Sequence, residues 1–289
     1  MRKYLIFCFS RQKKDILHSN IRIGWKAVIL FSFISICNLL SVYSQDTRVV
    51  FSHLDINNGI SDNWIKCIYK DSKGFIWFGT NSGLNRFDGY KFEIFQHELS
   101  DSTSIADNDI NAITSDKNGN LWIGTGGGVS VLNCETYKFK RVTPVPSSPS
   151  QCWNINYITA MATDSYGNIL IGTPNGLFFF NQINNSFRYI LIDGQPCSSK
   201  LNNITSIVHD KTDSFWIGTA NGFIVKYNNN SNSFEKFETF RELNGQSRNI
   251  IKLFVDNTNN LWIADLNGLY LFNISTNSWD LDFQKKYRP

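Results

Sequence analysis

The sequence predicts an all-β protein: a β-propeller of about five four-stranded blades, preceded by an apolar leader helix. Three observations predict it. One phrase returns five times, as GFIWFGTNSGLNRFDG (74–89), NLWIGTGGGVSVLN (120–133), NILIGTPNGLFFFN (168–181), SFWIGTANGFIVKY (214–227) and NLWIADLNGLYLFN (260–273). The acids that lead these phrases, Asp71, Asp116, Asp164, Asp210 and Asp256, are spaced by 45, 48, 46 and 46 residues, a period that suits propeller blades better than shorter helical repeats. The apolar runs are four to seven residues long, rich in Ile, Phe and Val, and bounded by Gly, Asn and Asp, which reads as strands rather than helices.

The leader comes first. Arg2, Lys3, Arg11, Lys13, Lys14, Arg22 and Lys26 face one acid, Asp15, and the apolar run Ala27–Tyr43 follows. Residues 1–44 therefore read as an export signal, or as a retained anchor that would touch the inner membrane. The run is slightly short for a spanning helix, which needs about 20 residues. The leader takes seven of the 28 Lys/Arg and one of the 24 Asp/Glu, so the remainder holds 21 against 23 and is formally −2. The basic balance of the whole chain belongs to the leader and gives no case for a nucleic-acid partner. Cys67, Cys134, Cys152 and Cys197 lie beyond the leader without CxxC spacing, which argues against a zinc site. Cys67 reads as a buried free thiol, while a disulfide between two of the other three stays open.

Residues 45–289 form the propeller, with blades near 62–98, 107–143, 155–192, 201–240 and 247–284. The innermost strand of each opens on Ile: IKCIY (65–69), INAIT (110–114), ITAMA (158–162), ITSIV (204–208) and IIKLF (250–254). Cys67, Ala112, Ala160 and Ser206 are small enough for a crowded axis, and Lys252 breaks the series. A hairpin turn follows the leading acid, with Gly74, Asp213 or Asn259 as the residue that tolerates positive φ. The second strand carries Trp77, Trp122, Trp216 and Trp262, with Leu170 in the third copy. These plates are expected to fill the space between sheets, while Gly79, Gly124, Gly172 and Gly218 let the neighbouring sheet approach. The fourth strand is aromatic, with Phe92, Phe139, Phe187, Phe234 and Trp279.

The five phrases resemble the two-component regulator propeller repeat, D-x-x-G-x-[IL]-W-[IF]-G-T-x-x-G-[LI], and residues 51–95 resemble that family's first blade throughout, including the NNGIS segment (57–61). The resemblance covers about residues 49–283. It implies a periplasmic sensor region of a hybrid two-component system that responds to oligosaccharides from complex glycans. Typical family members carry two seven-bladed propellers, a β-sandwich, a membrane span, a histidine kinase and a response regulator. Here five blades are read, with no kinase histidine motif and no nucleotide-binding glycine box. Kinase activity is therefore not carried over, and a homodimer or a separate kinase-bearing portion is the expected partner. Five units shaped for seven would form an incomplete arc, unless residues 49–54 add to the last blade and close the ring.

The ligand is expected at the channel mouth or across one face. Eight residues before each leading acid stand Asn63, Asn108, Asn156, Asn202 and Arg248. Turn capping is the plainer role for them, and a ring of donors for a sugar is the sharper one. Trp64, Tyr157 and Trp153 lie beside that ring and would stack on a pyranose face. No cofactor is expected. GxSxG and HExxH are absent, and the GTGGG run (124–128) precedes no helix that would make it a phosphate cradle. The main reading is a non-enzymatic sensor. A propeller-fold lyase or other carbohydrate-active enzyme, a passive scaffold and a truncated remnant are the alternatives.

Overall fold

The structure is a computed structural model, and it describes residues 53–142, 156–194, 201–237, 249–266 and 268–280. The leader helix lies outside these residues. Among them, no helix is long and apolar enough to cross a membrane.

Among the described residues, twenty strands form five antiparallel four-stranded sheets, each in simple up-and-down order. Blade 1 contains β1 (Ile65–Lys70), β2 (Ile76–Thr80), β3 (Gly83–Phe87) and β4 (Phe92–Phe95). Blade 2 contains β5 (Ile110–Ser115), β6 (Leu121–Thr125), β7 (Gly128–Asn133) and β8 (Lys138–Val142). Blade 3 contains β9 (Ala160–Thr163), β10 (Ile169–Thr173), β11 (Gly176–Asn181) and β12 (Ser186–Ile190). Blade 4 contains β13 (Ile204–His209), β14 (Phe215–Thr219), β15 (Ile224–Asn228) and β16 (Ser233–Phe237). Blade 5 contains β17 (Ile250–Val255), β18 (Asn260–Asp265), β19 (Gly268–Asn273) and β20 (Ser278–Trp279). Among the described residues, a short 3₁₀ turn, Ile56–Asn58, precedes blade 1.

The turn after each leading acid explains the first half of the phrase. Asp71 Oδ1 accepts from the N–H of Lys73 and of Phe75, and Asp210 Oδ1 does the same for Thr212 and Ser214. Asp213 and Asn259 take up φ of 64° at the place where Gly74 sits at 94°. The second carboxylate oxygen reaches the indole. Trp77, Trp122, Trp216 and Trp262 each donate Nε1–H to the acid six residues earlier, at 2.8, 3.2, 2.8 and 2.9 Å. The acid thus fixes both the hairpin and the Trp rotamer, and it leaves the buried indole N–H satisfied. In blade 3, where Leu170 replaces Trp, Asn168 Nδ2 occupies Asp164 Oδ2 at 2.9 Å.

The second half of the phrase builds the contact between blades. Trp77 lies against Leu121, Ile123 and Leu132 of blade 2, Trp122 against Ile169 and Phe180 of blade 3, and Trp216 against Leu261, Ile263 and Phe272 of blade 5. The glycine two residues after the Trp position is a notch. A Cβ at Gly79, Gly172 or Gly218 would lie 2.7, 2.5 or 2.6 Å from Cγ2 of Ile110, Ile204 or Ile250, and Gly124 meets Ile158 the same way. Each of these isoleucines leads into the next inner strand, so the Ile that opens a repeat seats in the Gly of the repeat before it. The following Thr holds the next hairpin: Thr80, Thr125 and Thr173 donate Oγ1–H to the carbonyls of Gly83, Gly128 and Gly176.

The inner strands β1, β5, β9, β13 and β17 surround one axial channel, and Lys252 lines it together with Cys67, Ala112 and Ala160. Among the described residues the series is open at both ends. Leu121, Ile169, Phe215 and Leu261 are fully buried on the faces that receive the preceding blade, whereas the equivalent Ile76 in blade 1 is only half-buried. At the other end Trp262 is half-buried where Trp77 and Trp216 are buried, and Ala264 replaces the notch glycine. Among the described residues, then, the outward faces of blades 1 and 5 have no blade upon them. Of residues 49–54, read as a strand that would close the ring, 49–52 lie outside the described residues, and His53 and Leu54 belong to no strand.

The notch gives a stability prediction. Gly172→Ala should destabilise the protein by about 1–3 kcal/mol through overpacking against Ile204. Ile204→Ala in the same chain should recover part of that loss, read as non-additivity in a double-mutant cycle by urea unfolding.

Candidate functional site

Two rims of the propeller carry polar clusters. At the first, where each chain enters its inner strand, a β-bulge recurs. Register shifts lie between Ile65 and Cys67, Ile110 and Ala112, Ile204 and Ser206, and Ile250 and Lys252. A bulge turns one side chain out of the sheet's alternation, and here those residues are Lys66, Asn111, Thr205 and Ile251. Lys66 reaches sideways to blade 2, where Nζ forms a salt bridge with Asp109 and donates to Asn111 Oδ1 at 3.0 Å. Asn111 in turn donates to the carbonyl of Ile158 in blade 3 at 3.0 Å. Tyr157 OH donates to Asp109 Oδ2 at 3.4 Å. The Thr205 hydroxyl is buried and without a hydrogen-bond partner among the described residues.

Below this rim the channel is a cavity of about 270 Å³. Ile68, Ile113, Met161 and Ile207 give it apolar walls, and Lys66 and Lys252 bring two cations to it. Burial pushes the Cys67 thiol up to about 11, against the opposing pull of Lys252. Cys67 and Cys134 are both free thiols. Cys152 and Cys197 lie outside the described residues.

The residues that the sequence singles out divide into two groups. Asn63 Oδ1 accepts from Ile56 N–H, Asn108 Oδ1 from His97 N–H at 2.7 Å, and Asn202 Oδ1 from Ile192 N–H at 3.2 Å. These amides tie the segment arriving from the preceding element to the start of the inner strand, and Asn202 is fully buried. Trp64 is 69 % exposed, Asn156 is exposed and Tyr157 is half-buried beside Asp109. Arg248 and Trp153 lie outside the described residues. The structure thus brings Tyr157 to Asp109, beside Lys66 and Asn111, while Trp64 stands exposed two residues before Lys66 in the chain. The bulge residues were missed by reading the sequence, although one signal was there: Lys66, Asn111, Thr159 and Thr205 place a polar residue after the opening Ile in four of five copies.

The opposite rim carries the strand-one to strand-two hairpins. His209 Nε2 and Asp213 Oδ1 lie 2.8 Å apart, and Ser165 of blade 3 donates its hydroxyl to the same oxygen at 2.7 Å. Burial works to raise the Asp213 carboxyl, but the hydrogen bonds from Ser165 and His209 prevail and hold it below the usual carboxylate range. Asp164, Asp210 and Asp256 line the same 430 Å³ crevice. All three accept hydrogen bonds within their own hairpins, so the cluster is occupied with holding turns together. Among the described residues, no group of three or more His, Cys, Asp or Glu is arranged to hold a metal ion.

With this geometry in view, the relatives can be placed. Residues 59–82 and 104–127 match the two-component regulator propeller family. Those two stretches, in blades 1 and 2, are similar to that family's repeat. A stretch of 82 residues, 28 % of the chain, is 40 % identical to histidine kinase P4 of Formosa agariphila, of which it covers 6 %. The propeller superposes on the extracellular domain of the hybrid two-component system BT3049 of B. thetaiotaomicron with a TM-score of 0.65 and 25 % identity, covering 79 % of this chain and 31 % of that one. The chain therefore spans less than a third of these relatives. Virginiamycin B lyase of Staphylococcus aureus, in a catalytically inactive form with quinupristin, shares the fold at a TM-score of 0.60 and 15 % identity, over 82 % of this chain and 74 % of the lyase. That likeness concerns the fold alone.

The Asp213 carboxylate is favoured in the folded state, so the stability it confers is present above its unfolded pKa and is lost as pH falls through its lower folded value. Asp213→Asn, which keeps a residue tolerant of positive φ, should lower the melting temperature at pH 7. It should leave the variant and the parent closer together at pH 3, as thermal unfolding at the two pH values would report.

Proposed function

We propose that the propeller is an extracytoplasmic ligand-sensing module of a two-component signalling system, and that it takes a glycan-derived oligosaccharide at the rim where the inner strands begin. The observation that carries the site is the Lys66–Asp109–Asn111 network with Tyr157 on Asp109, together with an exposed Trp64 two residues before Lys66 in the chain. A pyranose has an apolar ring face and a hydroxyl edge. An indole plate beside a charge-assisted donor–acceptor network matches both. In this reading Asn63, Asn108 and Asn202 shape the rim from beneath, while Trp64, Lys66, Asp109 and Tyr157 meet the sugar. The periplasm is the compartment proposed, and occupancy would be relayed to a kinase-bearing portion.

The family match and the likeness to an extracellular domain of a hybrid two-component system support the sensor class. The lyase alternative draws on fold likeness, and the His209–Asp213 cluster on the far rim does not strengthen it, because Asp164, Asp210 and Asp256 are bound within their own turns and Asp213 is held by Ser165 and His209.

Isothermal titration of the full chain against a panel of glycan-derived oligosaccharides tests the reading. One sugar should release heat saturably, and Trp64→Ala should weaken it by about tenfold or more while leaving the melting temperature unchanged. Absence of heat with every sugar of the panel would overturn the oligosaccharide assignment.

A further inference from the structure

At two of the boundaries between blades an arginine crosses the outer half of the gap. Between blades 1 and 2 the Arg86 guanidinium lies 4.7 Å from the centre of the Tyr137 ring and donates to its hydroxyl. Between blades 3 and 4 Arg188 donates to Asn232 Oδ1 at 2.8 Å, to Tyr227 OH at 2.9 Å and to Asn229 Oδ1 at 3.3 Å. The boundary between blades 2 and 3 is built differently. Register places Val131 where blade 1 has Arg86, and Lys140 where blade 3 has Arg188. Val131 is too short to cross, and Lys140 makes no hydrogen bond, ion pair or ring contact among the described residues. Among those residues a cleft of about 460 Å³ stands open there, a size usual for small-molecule sites.

The walls of this cleft are chemically uneven. Trp122, Phe180 and Phe187 make one side aromatic, with ring centroids 4.5 Å apart for Trp122–Phe180 and 5.0 Å for Phe180–Phe187. Two of the charges on the other side are engaged. Asp116 accepts from the N–H groups of Asn118 and Asn120, from Asn120 Nδ2 and from Trp122 Nε1. Arg141 donates to the carbonyls of Ser104 and Asp101. Lys140 is left as the uncommitted charge. Gln182 also lines the cleft, and its Oε1 is buried without a donor among the described residues. Its equivalent one blade on, Asn229, is the oxygen that receives Arg188. The cleft therefore lacks a donor at Gln182 and an anion at Lys140.

We propose that the cleft between blades 2 and 3 is a second ligand site, and that it takes a hydroxylated ring bearing a carboxylate, a sugar acid of the uronate class. The apolar face of the ring rests on the aromatic side. Its carboxylate pairs with Lys140 Nζ in a charge-assisted contact, and a ring hydroxyl supplies the donor that the Gln182 amide lacks. Charge selects this guest over its rivals. A neutral sugar leaves Lys140 unpaired, and an amine or guanidinium guest meets Lys140 and Arg141 as like charges. The site lies toward the end of the blades where β5 gives way to β6, away from Lys66 and Asp109 at the start of β5, and it does not depend on the reading of that rim.

Sodium glucuronate and glucose are the probes, titrated against the full chain in nonionic detergent and followed by saturation-transfer NMR of the sugar protons. Glucuronate should bind saturably and about tenfold or more tighter than glucose. Lys140→Gln, at an exposed side chain, should weaken glucuronate by about tenfold and remove that preference. Val131→Arg, checked as folded by its circular dichroism, should plug the cleft as Arg86 does one blade earlier and abolish binding of the acid. Trp64→Ala should leave glucuronate binding unchanged, which separates this site from the channel rim. A parent that binds no glucuronate would overturn the proposal, as would equal affinity for glucose or binding that persists unchanged in Lys140→Gln or in Val131→Arg. Loss of glucuronate binding in Trp64→Ala would overturn it too and assign the acid to the rim.

Discussion

The structure depends on one steric fit, the seating of an isoleucine methyl in the space over a backbone glycine of the preceding blade. Two sheets normally pack about 10 Å apart, with side chains of both filling the gap. Near a propeller axis that spacing cannot be kept, because the sheets converge. Removing the side chain from one sheet at the crowded position solves this, and so Gly79, Gly124, Gly172 and Gly218 stand where the next inner strand begins. Further out the same two sheets diverge, and there a large plate is required. Trp77, Trp122 and Trp216 provide it two residues before the glycine, on the same face. The short spacing from Trp to Gly is thus the taper of a blade written into one strand.

The leading acid couples this packing to the turn. A carboxylate with one oxygen on two hairpin N–H groups and the other on the indole makes the turn conformation and the Trp position a single decision. In a repeat built this way nearly every side chain of the phrase has a structural task. The face-to-face interior is unavailable for recognition, which is why the rim holds the candidate chemistry. The bulge after the opening Ile supplies the means, because it takes Lys66 and Asn111 out of the packed alternation and sends them to the neighbouring blade.

Legibility in the sequence followed the range of the interactions. Hairpin turns and strand alternation are local, so blade boundaries, the positive-φ positions at Asp213 and Asn259 and the interior place of the Trp residues could be read directly. The notch was legible as a close approach, while its partner was not: that Gly172 meets Ile204 depends on the angle between successive sheets. The amide series was legible as a pattern but ambiguous in role. An Asn before a strand can hold a turn or face a ligand, and only three-dimensional neighbours distinguish the two, as with Asn108 on the His97 N–H. Lys66 was missed for a related reason. Strict alternation assigns it to a sheet face, and the register shift that redirects it leaves no mark within blade 1 alone.

A repeat that makes its contacts by presenting two different faces has a consequence that a symmetric unit would not. Every added blade satisfies one open face and creates another of the same kind, so the apolar surface left over does not shrink with length and disappears only on closure.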